Sequence, residues 1–66
     1  MLVQVNGVPR QLPRDSTVAY LVDDLALQGQ RMAIEVNEEV IPRSRHPAFV
    51  LQEGDKIEVV SAVGGG

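Results

Sequence analysis

Asp15-Ser16-Thr17-Val18-Ala19-Tyr20-Leu21-Val22-Asp23-Asp24-Leu25 is the stretch on which the fold turns. Three residues with capping side chains precede apolar positions 18, 21, 22 and 25, the i, i+3, i+4, i+7 spacing of a helix with one buried stripe. Gly29 is the predicted left-handed stop. Tyr20 and Leu27 fall on the opposite side, so either the helix ends before Leu27 or a second contact surface lies there. A single stripe needs a single partner, and in a chain of 66 residues that partner is a sheet.

Strand patterns flank the helix on both sides. Met1-Leu2-Val3-Gln4-Val5 alternates, with Met1, Val3 and Val5 on one face and Leu2 and Gln4 on the other. Asn6-Gly7 tolerates the positive φ of a two-residue type I′ turn, which predicts a hairpin returning through residues 8–12. Pro9 and Pro13 cannot donate ladder hydrogen bonds and assign that second strand to an edge.

After the helix, Met32-Ala33-Ile34-Glu35-Val36 reads as a third strand, Asn37-Glu38-Glu39 as a turn, and Val40-Ile41 as a short strand stopped by Pro42. Residues 43–47 lack periodicity and read as a surface loop or a single tight helical turn. Phe49, Val50 and Leu51 return apolar mass before a Glu53-Gly54-Asp55 turn. The last strand then points Ile57 and Val59 inward and Lys56, Glu58 and Val60 outward. The expected architecture is an α+β roll: a mixed four- to five-stranded sheet with one main helix packed across it, the first and last strands parallel in the middle. Residues 1–63 form the domain and residues 64–66 a flexible glycine tail.

Composition narrows the function. A chain this short is one small domain that buries only about 60% of its unfolded surface, which leaves no room for a large cleft. With no cysteine, it has no disulfides, no thiolate metal site and no side-chain thiol to carry sulfur or acyl groups. The formal charge of −3, the lone lysine Lys56 and the scattered arginines argue against a nucleic-acid surface. No apolar run approaches a membrane span and the start lacks a signal-peptide pattern, so the expected location is the cytoplasm.

Internal catalytic equipment is sparse. His46 is the sole histidine, and Ser16, Thr17, Ser44 and Ser61 have no histidine at suggestive spacing. Asp23-Asp24 and Glu38-Glu39 are adjacent carboxylates whose side chains diverge, and they read as solvated charge. His46 reads as a loop residue, and Arg43 as a solvated side chain or half of an exposed ion pair.

Gly64-Gly65-Gly66 is different, because glycine suits both the space and the chemistry. Lacking Cβ atoms, three such residues pass through a channel closed to any side chain and reach on the order of 10 Å when extended. They can carry the carboxylate of Gly66 from the domain into another protein's active site. A frayed terminus is the bland alternative.

The residues Ala33-Ile34-Glu35-Val36-Asn37, then Val40-Ile41-Pro42-Arg43, then Leu51-Gln52-Glu53-Gly54-Asp55-Lys56-Ile57-Glu58, then the closing glycines, resemble the ThiS family of sulfur carrier proteins of thiamine biosynthesis. The resemblance covers the whole chain. It implies the ubiquitin-like β-grasp fold and a carrier that is a protein co-substrate, not an enzyme. A ThiF-type adenylyltransferase, using ATP and magnesium that it binds itself, would convert the carboxylate of Gly66 to an acyl adenylate. Sulfur from a cysteine desulfurase would then give a terminal thiocarboxylate, consumed by the thiazole synthase ThiG. No cofactor or metal is expected on this chain.

The small subunit of molybdopterin synthase shares the implied fold and thiocarboxylate, but tends to carry prolines or an aromatic where this chain has Val60-Ser61-Ala62-Val63. A ubiquitin-like protein modifier joined through Gly66 and a plain binding module with an idle tail are readings from other classes. Gly64 is additional to the minimal pair. If the first and last strands are neighbours, Leu2, Val60 and Ala62 are expected together on the sheet face away from the helix, at the root of the tail, as a partner interface.

Overall fold

The computed structural model describes residues 1–27 and 31–61. Among the described residues five strands and one α-helix follow in the order β1 (Leu2–Val5), β2 (Val8–Gln11), α1 (Val18–Asp24), β3 (Met32–Val36), β4 (Glu39–Ile41) and β5 (Lys56–Ser61), with a 3-10 turn at Arg43–Arg45. The sheet order is β2-β1-β5-β3-β4. β1 and β5 are parallel at its centre and every other pairing is antiparallel. This is the β-grasp roll, with the edge position expected of β2.

The helix starts as its sequence directs. Thr17 is the N-cap in extended conformation, its hydroxyl accepting the Tyr20 N–H at 3.1 Å. Ser16 is buried beneath it and donates its hydroxyl to the Pro13 carbonyl at 2.6 Å. The end differs from expectation. Gly29 lies outside the described residues, and the helix already stops at Leu25, with Ala26 in the left-handed region at φ 56°.

Ala26 N–H bonds the Asp23 carbonyl and Leu27 N–H the Val22 carbonyl, both at 3.0 Å, the paired closure of a Schellman cap. Of the two alternatives for Leu27, the earlier ending is therefore the one realised.

Val18 and Leu21 are fully buried, and Val22 and Leu25 pack partly against the same core. The sheet contributes Val3, Ile34, Val36, Ile41 and Ile57, and the connections add Leu12 and Leu51. Removing each such side chain from water contributes about 1.5–3 kcal/mol. Ile57 has a particular place among them, pairing with Val5 on one side and Val36 on the other and so joining the two halves of the sheet.

His46 is buried, in contrast to the surface-loop reading of residues 43–47. Its Nε2 lies 3.0 Å from the Ile41 carbonyl, and because a carbonyl only accepts, Nε2 carries the proton. Its own carbonyl accepts the Ala19 N–H at 3.0 Å, which ties the 3-10 turn to the helix. Arg43 is not free in the structure.

Candidate functional site

The last strand is the site's scaffold, because the chain runs from it toward the glycines. Its start is fixed by a set of short polar contacts. Asp55 accepts the Gln52 N–H at 2.8 Å and the Asn37 side-chain amide at 3.0 Å, and Asn37 Oδ1 accepts the Lys56 N–H at 3.0 Å. Gly54, at φ 84°, supplies the left-handed residue of the preceding turn.

At the other end β1 stops at the Asn6-Gly7 turn while β5 continues to Ser61. There the Asn6 side chain replaces the missing neighbour: its Oδ1 accepts the Val59 N–H at 2.8 Å and its Nδ2 lies 3.4 Å from the Val59 carbonyl.

The outer face of the sheet is the one turned away from the helix. Alternation and register place on it Gln4 of β1, Lys56, Glu58 and Val60 of β5, Ala33 and Glu35 of β3, and Val40 of β4. Glu35 and Glu58 sit directly opposite each other, an unfavourable like-charge pair. With Lys56 and Gln4 they line a shallow concavity of about 510 Å³. Among the described residues no group of three or more His, Cys, Asp or Glu is placed to hold a metal ion.

Leu2 and Val60 are both exposed on this face, at 43% and 49%, but the structure does not bring them together. Gln4 is opposite Lys56, so Leu2 lies two residues toward the start of the paired strands and Val60 four residues the other way. Six residues of offset is about 20 Å. Leu2 instead lies against the turn before β5, its N–H bonding the Glu53 carboxylate at 3.0 Å and its carbonyl accepting the Gly54 N–H at 2.8 Å.

The apolar neighbour of Val60 comes from the opposite side of the strand, where Ala33 is its partner on β3. Val40, 59% exposed, is on the same face but two strands away, opposite Glu35. The alternation of residues 32–36 carried this signal. Ala62, Gly64, Gly65 and Gly66, and with them the boundary drawn at residue 63, lie outside the described residues.

A β-grasp roll whose central strand is followed in the sequence by closing glycines defines a class of small carrier and modifier domains. Within that class the chain belongs to the ThiS family of sulfur carrier proteins, whose family model matches residues 3–66. It is 32% identical to the sulfur carrier protein ThiS of Bacillus subtilis over 66 residues, covering 98% of this chain and all of that one. The crystal structure of the thiamine biosynthesis protein ThiS from Geobacter metallireducens superposes with a TM-score of 0.86 at 30% identity, covering 100% of both chains.

The chain is also similar to larger proteins. It is 38% identical over its whole length to a thiazole synthase of Magnetococcus marinus. It spans only 20% of that protein's length, and the same fraction of a second thiazole synthase, from Paramagnetospirillum magneticum. No helix among the described residues is long and apolar enough to cross a membrane.

Proposed function

We propose that this chain carries sulfur as a thiocarboxylate on Gly66 for thiazole ring formation in thiamine biosynthesis, serving other enzymes as a co-substrate in the cytoplasm. The observation that carries the proposal is the family match through residue 66, which takes in the closing glycines, on a fold whose central strand heads toward them.

The chemistry follows from what a carboxylate lacks. Its charge repels nucleophiles and oxide is a poor leaving group. Attack of a Gly66 carboxylate oxygen on the α-phosphorus of ATP expels pyrophosphate and forms an acyl adenylate. The ATP and magnesium belong to a ThiF-type adenylyltransferase, so the chain itself needs no cofactor.

Hydrosulfide attacking the acyl carbon expels AMP and leaves the thiocarboxylate directly. A persulfide supplied through a cysteine desulfurase gives an acyl disulfide, which a thiol then reduces to the thiocarboxylate, forming a disulfide in its turn. The thiocarboxylate is a soft, ionised nucleophile suited to a carbonyl or imine carbon on the thiazole synthase ThiG. Similarity to a segment of thiazole synthases supports that partner, since covalent linkage raises the local concentration of one component at the other.

The docking patch proposed for the activating enzyme centres on Val60 and its cross-strand partner Ala33, without Leu2. The reading is tested by ATP–pyrophosphate exchange on a ThiF-type enzyme already shown to be active on another carrier. Exchange that requires this chain and disappears on deletion of Gly66 supports it. No exchange with the full chain leaves the glycines without an activating role.

A further inference from the structure

The carboxamide of Asn6 behaves as a surrogate strand. Among the described residues the β1 register with β5 ends at Val5–Ile57, and the Asn6 N–H makes the next bond, to the Ile57 carbonyl at 2.9 Å. In a continued parallel ladder the backbone carbonyl of residue 6 and the N–H of residue 8 would bond Val59. The chain instead turns away at Asn6-Gly7, and the side-chain amide presents the same two groups, accepting the Val59 N–H at 2.8 Å and facing its carbonyl at 3.4 Å. An amide side chain is chemically a peptide group, so the substitution matches donor for donor and acceptor for acceptor.

Its position gives the contact a function that general stability does not. Val59 is two residues before the end of β5, on the side of the strand that β1 no longer covers. Residues 62–66 follow Ser61. Drawn out, those residues span about 17 Å, so the point at which Val59 is held sets where that reach begins. Acyl activation tolerates misplacement of about 1 Å poorly.

We infer that Asn6 is a positioning residue for the activation of Gly66, holding β5 at Val59, close to where the sequence continues toward the glycines. This rests on the carrier reading above. The molecule also contains its own control. Asn37 makes the equivalent grip at the start of the same strand, its N–H bonding the Lys56 carbonyl at 2.7 Å and its Oδ1 accepting the Lys56 N–H at 3.0 Å. Loss of either grip weakens β5, but only the one at Asn6 lies at the exit.

The test compares N6G with N37G in the full chain. Glycine retains the positive φ of both turns and deletes only the amide. Steady-state pyrophosphate release is measured with a ThiF-type enzyme, ATP, magnesium and sulfide, and amide exchange is followed by NMR.

N6G is expected to lower kcat about tenfold with KM within about twofold, because the docking face is intact. N37G is expected to keep both parameters within about twofold of wild type. The Val59 amide should exchange about tenfold faster in N6G, and the Lys56 amide in N37G. N6D keeps the turn and the acceptor for the Val59 N–H, and should restore kcat to within about threefold.

Wild-type kcat in N6G, or an equal loss in both variants, would overturn the positioning role while leaving the carrier reading intact. Unchanged Val59 exchange in N6G would overturn the clamp itself. Wild-type chain that the enzyme does not turn over would overturn the carrier reading and the positioning role with it.

Discussion

The hairpin at Asn6-Gly7 and the hairpin at Asn37-Glu38 share a backbone and differ in one residue. Both asparagines have φ 52°, and the residues after them have φ 81° and 72°, so both turns are left-handed at both central positions. Each asparagine donates its N–H to β5 and accepts a β5 N–H with its side chain. Gly7 adopts its conformation freely, whereas Glu38 has a Cβ, for which left-handed backbone costs about 1–2 kcal/mol.

The second turn is thus imposed on its sequence. The pairing of Val36 with Glu39 leaves two residues to reverse the chain, and only a turn of this hand matches the twist of the strands. Strand pairing chose the turn, and Glu38 follows.

The largest perturbation attacks what both hairpins hold. Ile57→Ala removes the side chain shared by the two halves and should cost about 3 kcal/mol in urea unfolding. For a domain this small that approaches the whole stability. A loss below about 1 kcal/mol would mean that the halves are not joined through this residue.

Val60→Asp distinguishes the two ends of β5. It places a charge on the proposed docking patch at the end that Asn6 holds, and should weaken binding to the activating enzyme about tenfold with an unchanged circular dichroism spectrum. Equal affinity, measured by calorimetry, would remove Val60 from the interface.

The turns themselves can be exchanged. Gly7→Ala should destabilise by about 1 kcal/mol, purely through the backbone, since a Cβ there meets nothing within 4 Å. Glu38→Gly should stabilise by about the same amount. Two changes of the same sign would refute the view that one turn is relaxed and the other imposed.

The smallest effect is expected from Glu58→Gln, which ends the repulsion from Glu35 across β3 and β5 and should stabilise by about 0.5 kcal/mol, less at high salt. Destabilisation would show that Glu58 has a favourable partner outweighing Glu35.

What could be read from the sequence was what local chemistry decides. Thr17 before an apolar stripe, Asn6-Gly7 between alternating runs, and Ile57 and Val59 against Lys56 and Glu58 each state their structure within a few residues. The stop at Ala26 was not legible, because the local rules favour glycine there and the conformation is held by two bonds to Val22 and Asp23.

The distance between Leu2 and Val60 was hidden for another reason. Alternation gives the face of a strand but not its register against a parallel neighbour, which depends on the whole connection between them. Burial of His46 was likewise invisible, since nothing around it shows that the 3-10 turn packs beneath the helix. The gripping asparagines were legible as turn residues only. Their second use needs β5 beside them.

The account stands on Gly66 as the point of attachment, and the intact mass of the chain tests this most directly. The full chain and a variant lacking Gly66 would be incubated with ATP, magnesium, a ThiF-type adenylyltransferase and sulfide. A mass gain equal to exchange of one oxygen for one sulfur, carried by the C-terminal fragment of the full chain and absent from the shortened one, is the expected result. An unchanged mass with an enzyme that converts another carrier, or sulfur found elsewhere in the chain, would contradict it.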